Sequence, residues 1–176
     1  MSLESLREDI IIKQKKGLPF IIASAVIWGL IATVSLLDIP MMTKNILVFC
    51  CSCPMLPISW IVGKKLGVDI FSKQNPLSKL GFLFTMNQLL YLLIVMWIFN
   101  AVPDKMLMVY AMVFGAHLLP YSWLYKSNGY KIFAIAIPFI SLILGNLFGG
   151  FVLAASLCVL EILFVIILLR ELKHNN

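Results

Sequence analysis

The chain has 176 residues, of which 61% are hydrophobic and 12% charged, with a net charge of +6 and a mean hydropathy of +0.99. These values exclude an ordinary soluble domain. Six apolar runs, at roughly 17–37, 46–63, 77–100, 106–125, 132–147 and 150–169, each match the 20 or so residues that a spanning helix needs.

Residues 1–16 form a segment of their own. The stretch SLESLREDIIIKQKK reads as a short amphipathic helix lying on the cytoplasmic face, with Ser2 or Ser5 as cap and Leu3, Leu6, Ile10 and Ile11 at helical spacing. Lys13, Lys15 and Lys16 are placed near lipid phosphates. Glu4, Glu8 and Asp9 in a long charged stretch argue against a cleavable signal peptide.

Gly17 and Pro19 open the first span, and Asp38 with Pro40 closes it. The second span contains CCSCPMLP, where Pro54 and Pro57 remove backbone donors and predict a kink. A loop from Lys64 to Lys79 follows, and Asn75-Pro76 suits the start of the third span. Val102-Pro103-Asp104 makes the next turn. The fourth span carries a second interior proline, Pro120, and Tyr121, Trp123 and Tyr125 read as an aromatic belt at the lipid interface. Asn128-Gly129 is the predicted turn pair before the fifth span. The last two spans are divided only by GNLFGG, where Gly145 and Gly149 allow a tight turn or a close helix contact, and the turn is favoured.

The 14 Lys and Arg residues sort around these runs. Twelve (Arg7, Lys13, Lys15, Lys16, Lys64, Lys65, Lys73, Lys79, Lys126, Lys131, Arg170 and Lys173) fall on the side of the N-terminus, against Lys44 and Lys105 on the other. Basic residues near span ends stay in the cytoplasm. The expected fold is therefore an all-α integral membrane bundle of six transmembrane helices over residues 17–169, with a tail at 170–176 and both termini cytoplasmic. Anionic head groups account for the basic charge, so membrane lipids are expected partners and nucleic acid is not.

The polar residues within the spans are few. Asn87 and Gln88 in the third, His117 in the fourth and Glu161 in the sixth lie at similar depth. An ionised carboxylate in hydrocarbon costs about 2.5–3.5 kcal/mol or more, so Glu161 is expected to face the interior, neutral or partnered. A Glu161–His117 pair bordered by Asn87 and Gln88 would bind a small solute or proton. The plainer account of the amides is a hydrogen-bonded knot between spans.

Cys50 and Cys53 have CxxC spacing, and thiolates bind soft metals. Packing as small hydrophobes is the favoured account, because a second pair of ligands is missing and the low dielectric opposes thiolates. HExxH, GxSxG and Gly-rich phosphate loops do not occur. The chain is expected to be neither an enzyme nor a holder of a cofactor.

The segments KGLPFI (16–21), NPLSKLG (75–81) and GAHLLPYSWLY (115–125) resemble a family of small bacterial membrane proteins of unknown function. The resemblance implies a bacterial cytoplasmic-membrane location and carries over no catalytic or binding residue. The residues themselves favour a small transporter or channel, as a homo-oligomer. A non-transporting interaction, accessory or sensor protein is the alternative, and an intramembrane thiol redox or metal-binding protein comes last.

Overall fold

The computed structural model describes residues 2–174, all helices, turns and loops. Six helical stretches are long and apolar enough to cross a membrane. The elements are α1 (Leu3–Gln14), α2 (Leu18–Ser35), α3 (Met41–Ser52), α4 (Met55–Leu66), α5 (Leu77–Ala101), α6 (Met106–Ala116), α7 (Leu119–Leu124), α8 (Asn128–Leu147) and α9 (Gly150–His174). Two spans are broken helices. The second divides into α3 and α4 at Cys53-Pro54, and the fourth into α6 and α7 at His117-Leu118, just before Pro120. Proline in the first turn of α4 and α7 needs no backbone donor, so each break falls where a missing N–H does least harm.

The core is built around α2 and α9, which share the most extensive contact in the molecule. Trp28 and Ile31 of α2 and Leu157, Phe164 and Leu168 of α9 are fully buried. Tyr110 and Phe114 of α6 close over Trp28, with ring centroids 5.8 and 5.6 Å away. Then α8 fills the space between α6 and α9. Gly115 is the point of closest approach, since a Cβ there would sit 2.6 Å from Ile137 Cγ2 and 2.6 Å from Pro138 Cδ. By contrast α5 stands at the edge, touching mainly α6 and α7, and Val95 is its one buried residue.

Ser2 caps α1, its hydroxyl accepting from Ser5 N–H at 3.2 Å. The helix does not run on into α2. Lys15, Lys16 and Gly17 take φ of 44°, 53° and 70°, a left-handed turn that lays α1 across one end of the bundle. Asn75 holds it there, donating to Leu6 O and Asp9 Oδ2, each at 2.8 Å. Arg7 adds a hydrogen bond to Trp123 O and stacks its guanidinium 4.6 Å from the Trp123 ring centre.

Three sequence expectations change. Lys13, Lys15 and Lys16 engage protein groups: Asp9 at 2.9 Å, Leu66 O at 2.6 Å and Glu171 at 2.7 Å, and Lys16 is only 2% exposed. The turn before the fifth span lies at Tyr125–Ser127 rather than Asn128-Gly129, because the Ser127 hydroxyl caps α8 by accepting from Tyr130 N–H. Of the aromatic belt, only Trp123 is exposed. Tyr125 is buried against Tyr121 and Tyr130, with ring centroids 6.0 and 5.5 Å away. The favoured turn between the last spans is present, at Phe148-Gly149, and Gly145 in addition makes a close contact with Met108.

Twelve of the 14 basic residues cluster at the end that carries α1. At the other end the two exceptions close helix termini. Lys44 Nζ donates to Ser35 O, the last carbonyl of α2, at 3.3 Å; Lys105 Nζ donates to Gly145 O at 3.3 Å and Asn146 Oδ1 at 3.1 Å, near the end of α8. A cation at a helix C-terminus satisfies free carbonyls and the negative end of the dipole together.

Candidate functional site

Glu161 sits in the middle of α9 and is completely buried. Helical spacing puts it on the face with Leu157, Phe164 and Leu168, which pack into the core, so its carboxyl is carried inward with them. Its side-chain partner is Ser24 of α2, hydroxyl to Oε2. The second carboxyl oxygen, Oε1, is buried with no partner among the described residues. One turn earlier on α9, Cys158 Sγ donates to Ala25 O at 3.4 Å, which fixes the register of α2 against α9 at this depth. Phe164 closes the next turn, packed on Tyr130 and Phe133 at 4.8 and 4.6 Å between centroids.

The chemistry of this pair turns on one hydrogen. Ser24 Oγ is also 2.8 Å from Ile21 O, which can only accept. A hydroxyl has a single hydrogen. When it points to Ile21 O, the Ser24–Glu161 contact needs a hydrogen from the carboxyl, so Glu161 must be the acid. When Glu161 is ionised, Ser24 must turn to donate to Oε2 and leave Ile21 O. The Ser24 rotor is thus tied to the charge on Glu161. Among the described residues no Lys, Arg or His forms an ion pair with Glu161.

Residues 3–171 match the profile of a family of unknown function, DUF7010. The chain belongs to that family. The match runs from the start of α1 into the last turn of α9 and agrees with the resemblance read from the sequence in so far as that was to a family of unknown function. No match was found among curated proteins or among solved structures.

The four polar residues placed at one depth by the sequence do not form a single cluster in this family member. His117 lies at the α6–α7 break, where Nδ1 bonds its own helix at Phe114 O and the ring packs 5.4 Å from Phe114 and 6.1 Å from Tyr121. Its hydrogen bonds do not reach Glu161. Asn87 is on the exposed side of α5, donating to Tyr91 Oη at 2.9 Å within the same helix, and Gln88 is half-buried with no side-chain hydrogen bond among the described residues. The cause is geometric: position along a span fixes depth, whereas which way a residue faces depends on how the helices pack.

Cys50 and Cys53 are both exposed, Cys53 Sγ donating to Phe49 O at 3.5 Å. No three His, Cys, Asp or Glu side chains among the described residues converge on a metal-sized space. A cavity of about 270 Å³ opens at the opposite end from α1, with Asp104, Lys105 and Asn146 among its lining residues and none of the midplane four.

Sequence reasoning overlooked Ser24 and Ser141. Ser141 of α8 is buried, and its hydroxyl, like Glu161 Oε1, has no partner among the described residues. Ranking every span hydroxyl by depth would have set Ser24 beside Glu161, since each lies roughly eight residues in from the basic end.

Proposed function

We propose that this protein is a small transporter or channel of a bacterial cytoplasmic membrane, with both termini in the cytoplasm, and that Glu161 is the group that takes up and releases a proton. The observation behind this reading is the fully buried Glu161 carboxyl, with Ser24 on one oxygen and no partner among the described residues on the other. A lone acid in mid-membrane is expensive and usually functional. An amide of the same size would serve packing as well. The Ser24 rotor supplies a way for protonation to change a contact between α2 and α9, the pair at the centre of the fold. Positive residues clustered at the α1 end support the assignment of that end to the cytoplasm.

The second reading is a non-transporting accessory or sensor protein, favoured by the nearly uncovered α5. Proteoliposomes separate the two. A potassium-diffusion potential is imposed across vesicles holding a pH-sensitive dye. The transporter reading expects proton entry faster than in protein-free vesicles and a return to that background in Glu161→Gln. Equal flux in wild type and Glu161→Gln removes Glu161 from the pathway. Wild-type flux at background favours the accessory reading.

A further inference from the structure

Exposure alone carries no message in a bilayer, because lipid covers any apolar face. Asn87 is different. It lies mid-span on the side of α5 turned away from the bundle, and hydrocarbon offers an amide no hydrogen bonds. Its Nδ2 uses one hydrogen on Tyr91 Oη, and Oδ1 has no bond among the described residues. One donor hydrogen and one acceptor are therefore left, a set that complements itself.

The neighbours of Asn87 on that face follow a definite spacing. Leu83, Asn87, Leu90, Ile94 and Trp97 succeed one another at intervals of 4, 3, 4 and 3 residues. The four apolar members are 60%, 63%, 53% and 65% exposed. A repeat averaging 3.5 residues is the seam of a left-handed two-helix coil, with Leu83, Leu90 and Trp97 at one core position and Asn87 and Ile94 at the other. Left-handed crossings near 20° are also the commonest packing between helices in membranes. Leucine at the first position, a β-branched residue at the second and a single asparagine among the latter is the pattern of a parallel pair.

The geometry points to a second copy of this chain as the occupant. We propose that α5 pairs with α5 of another protomer about a two-fold axis along the membrane normal, with Asn87 bonded to its own counterpart. Copies inserted in the same orientation place their α5 helices parallel, so Asn87 meets Asn87 without a shift in register. The opposite face of α5 is already occupied within the protomer: Phe84 packs 5.5 Å from Tyr121, and Phe99 6.2 Å from Phe49. The dimer thus uses a surface that the fold leaves free.

Sedimentation equilibrium of the full-length protein in density-matched detergent tests this, with fluorescence energy transfer in vesicles as a second measure. Wild type is expected to dimerise, and Asn87→Leu to weaken the dimer roughly tenfold by removing the paired amide bonds. Oxidation in membranes gives the orientation: Leu90→Cys is expected to cross-link above the wild-type control, and Leu93→Cys, 62% exposed but off the seam, is not. An unchanged thermal unfolding temperature shows that Asn87→Leu folds. A monomeric wild type overturns the proposal, as does a dimer that Asn87→Leu leaves equally tight, or cross-linking as strong through Leu93→Cys as through Leu90→Cys.

Discussion

Lys16 Nζ lies 2.7 Å from Glu171 Oε2, joining the turn after α1 to the last turns of α9, 155 residues later. The other oxygen of Glu171 accepts from Gly129 N–H at 2.9 Å, and Tyr130 Oη donates to Lys16 O at 2.9 Å. One carboxylate thus gathers three parts of the chain: the turn after α1, the start of α8 and the end of α9.

Removing that carboxylate leaves a buried ammonium and an unpaired backbone donor. Glu171→Ala is expected to lower stability by about 2–4 kcal/mol, while Glu171→Gln, which keeps a hydrogen-bonding group, loses less. Thermal unfolding in detergent orders the variants, and equal unfolding temperatures for wild type and Glu171→Ala would refute the role.

The docking of α1 should weaken in acid. The hydrogen bond from Lys126 holds the Glu4 carboxyl below its ordinary 4.5, with Arg7 adding to it, and Lys13 and then Asn75 hold Asp9 below its ordinary 3.8. A carboxyl with a lowered value in the docked state stabilises docking above its ordinary value and loses that contribution as pH falls through the lowered one. Protection of residues 3–14 against hydrogen exchange, measured relative to the intrinsic rate at each pH, is expected to be high at pH 7 and to be lost at acid pH, below the ordinary carboxylate range, before that of the spans. High salt at neutral pH should act in the same direction, because these pairs are exposed.

Gly115 and Gly149 give opposite expectations for the same change. Gly115→Ala drives a methyl into Ile137 and the rigid Pro138 ring, forcing α6 from α8 at an expected loss of about 1–3 kcal/mol. Gly149→Ala meets nothing within 4 Å and should stay within about 0.5 kcal/mol of wild type. Comparable losses at the two positions would contradict the close approach of α6 and α8.

Lys44 and Lys105 act on helix ends, so their removal should affect stability rather than orientation. Lys105→Met is expected to lose roughly 0.5–1 kcal/mol through the uncapped end of α8. A membrane-impermeant maleimide should label Asp104→Cys in intact cells and Lys73→Cys only after permeabilisation, in wild-type and Lys105→Met backgrounds alike. The reverse labelling would place both termini outside.

The spans and their breaks were readable from the sequence because they depend on one-dimensional quantities: apolar length, the missing donor of Pro54 and Pro120, and the distribution of Lys and Arg. The site was readable only in part. Glu161 could be singled out because a carboxyl in hydrocarbon is conspicuous wherever it faces. Its link to Ser24 depends on the register of α2 against α9, and the separation of Asn87 from Glu161 depends on α5 lying at the edge. Neither is encoded in spacing along a single helix. Lys16 shows the same limit, since a lysine at a span end ordinarily reaches for lipid, and only the left-handed turn carries it inward to Glu171.

That turn gives residues 2–16 the character of a loaded spring. Two lysines in succession hold positive φ, a conformation disfavoured by about 1–2 kcal/mol for each residue with a side chain. Straightened, the turn would let α1 continue α2 as a single rod, projecting about 20 Å beyond the bundle. The resting position of α1 is therefore a balance between stored backbone strain on one side and, on the other, the burial of Ile10 and Ile11 together with a handful of polar contacts. Anything that competes for Glu171, Asn75 or Lys126 shifts that balance toward release.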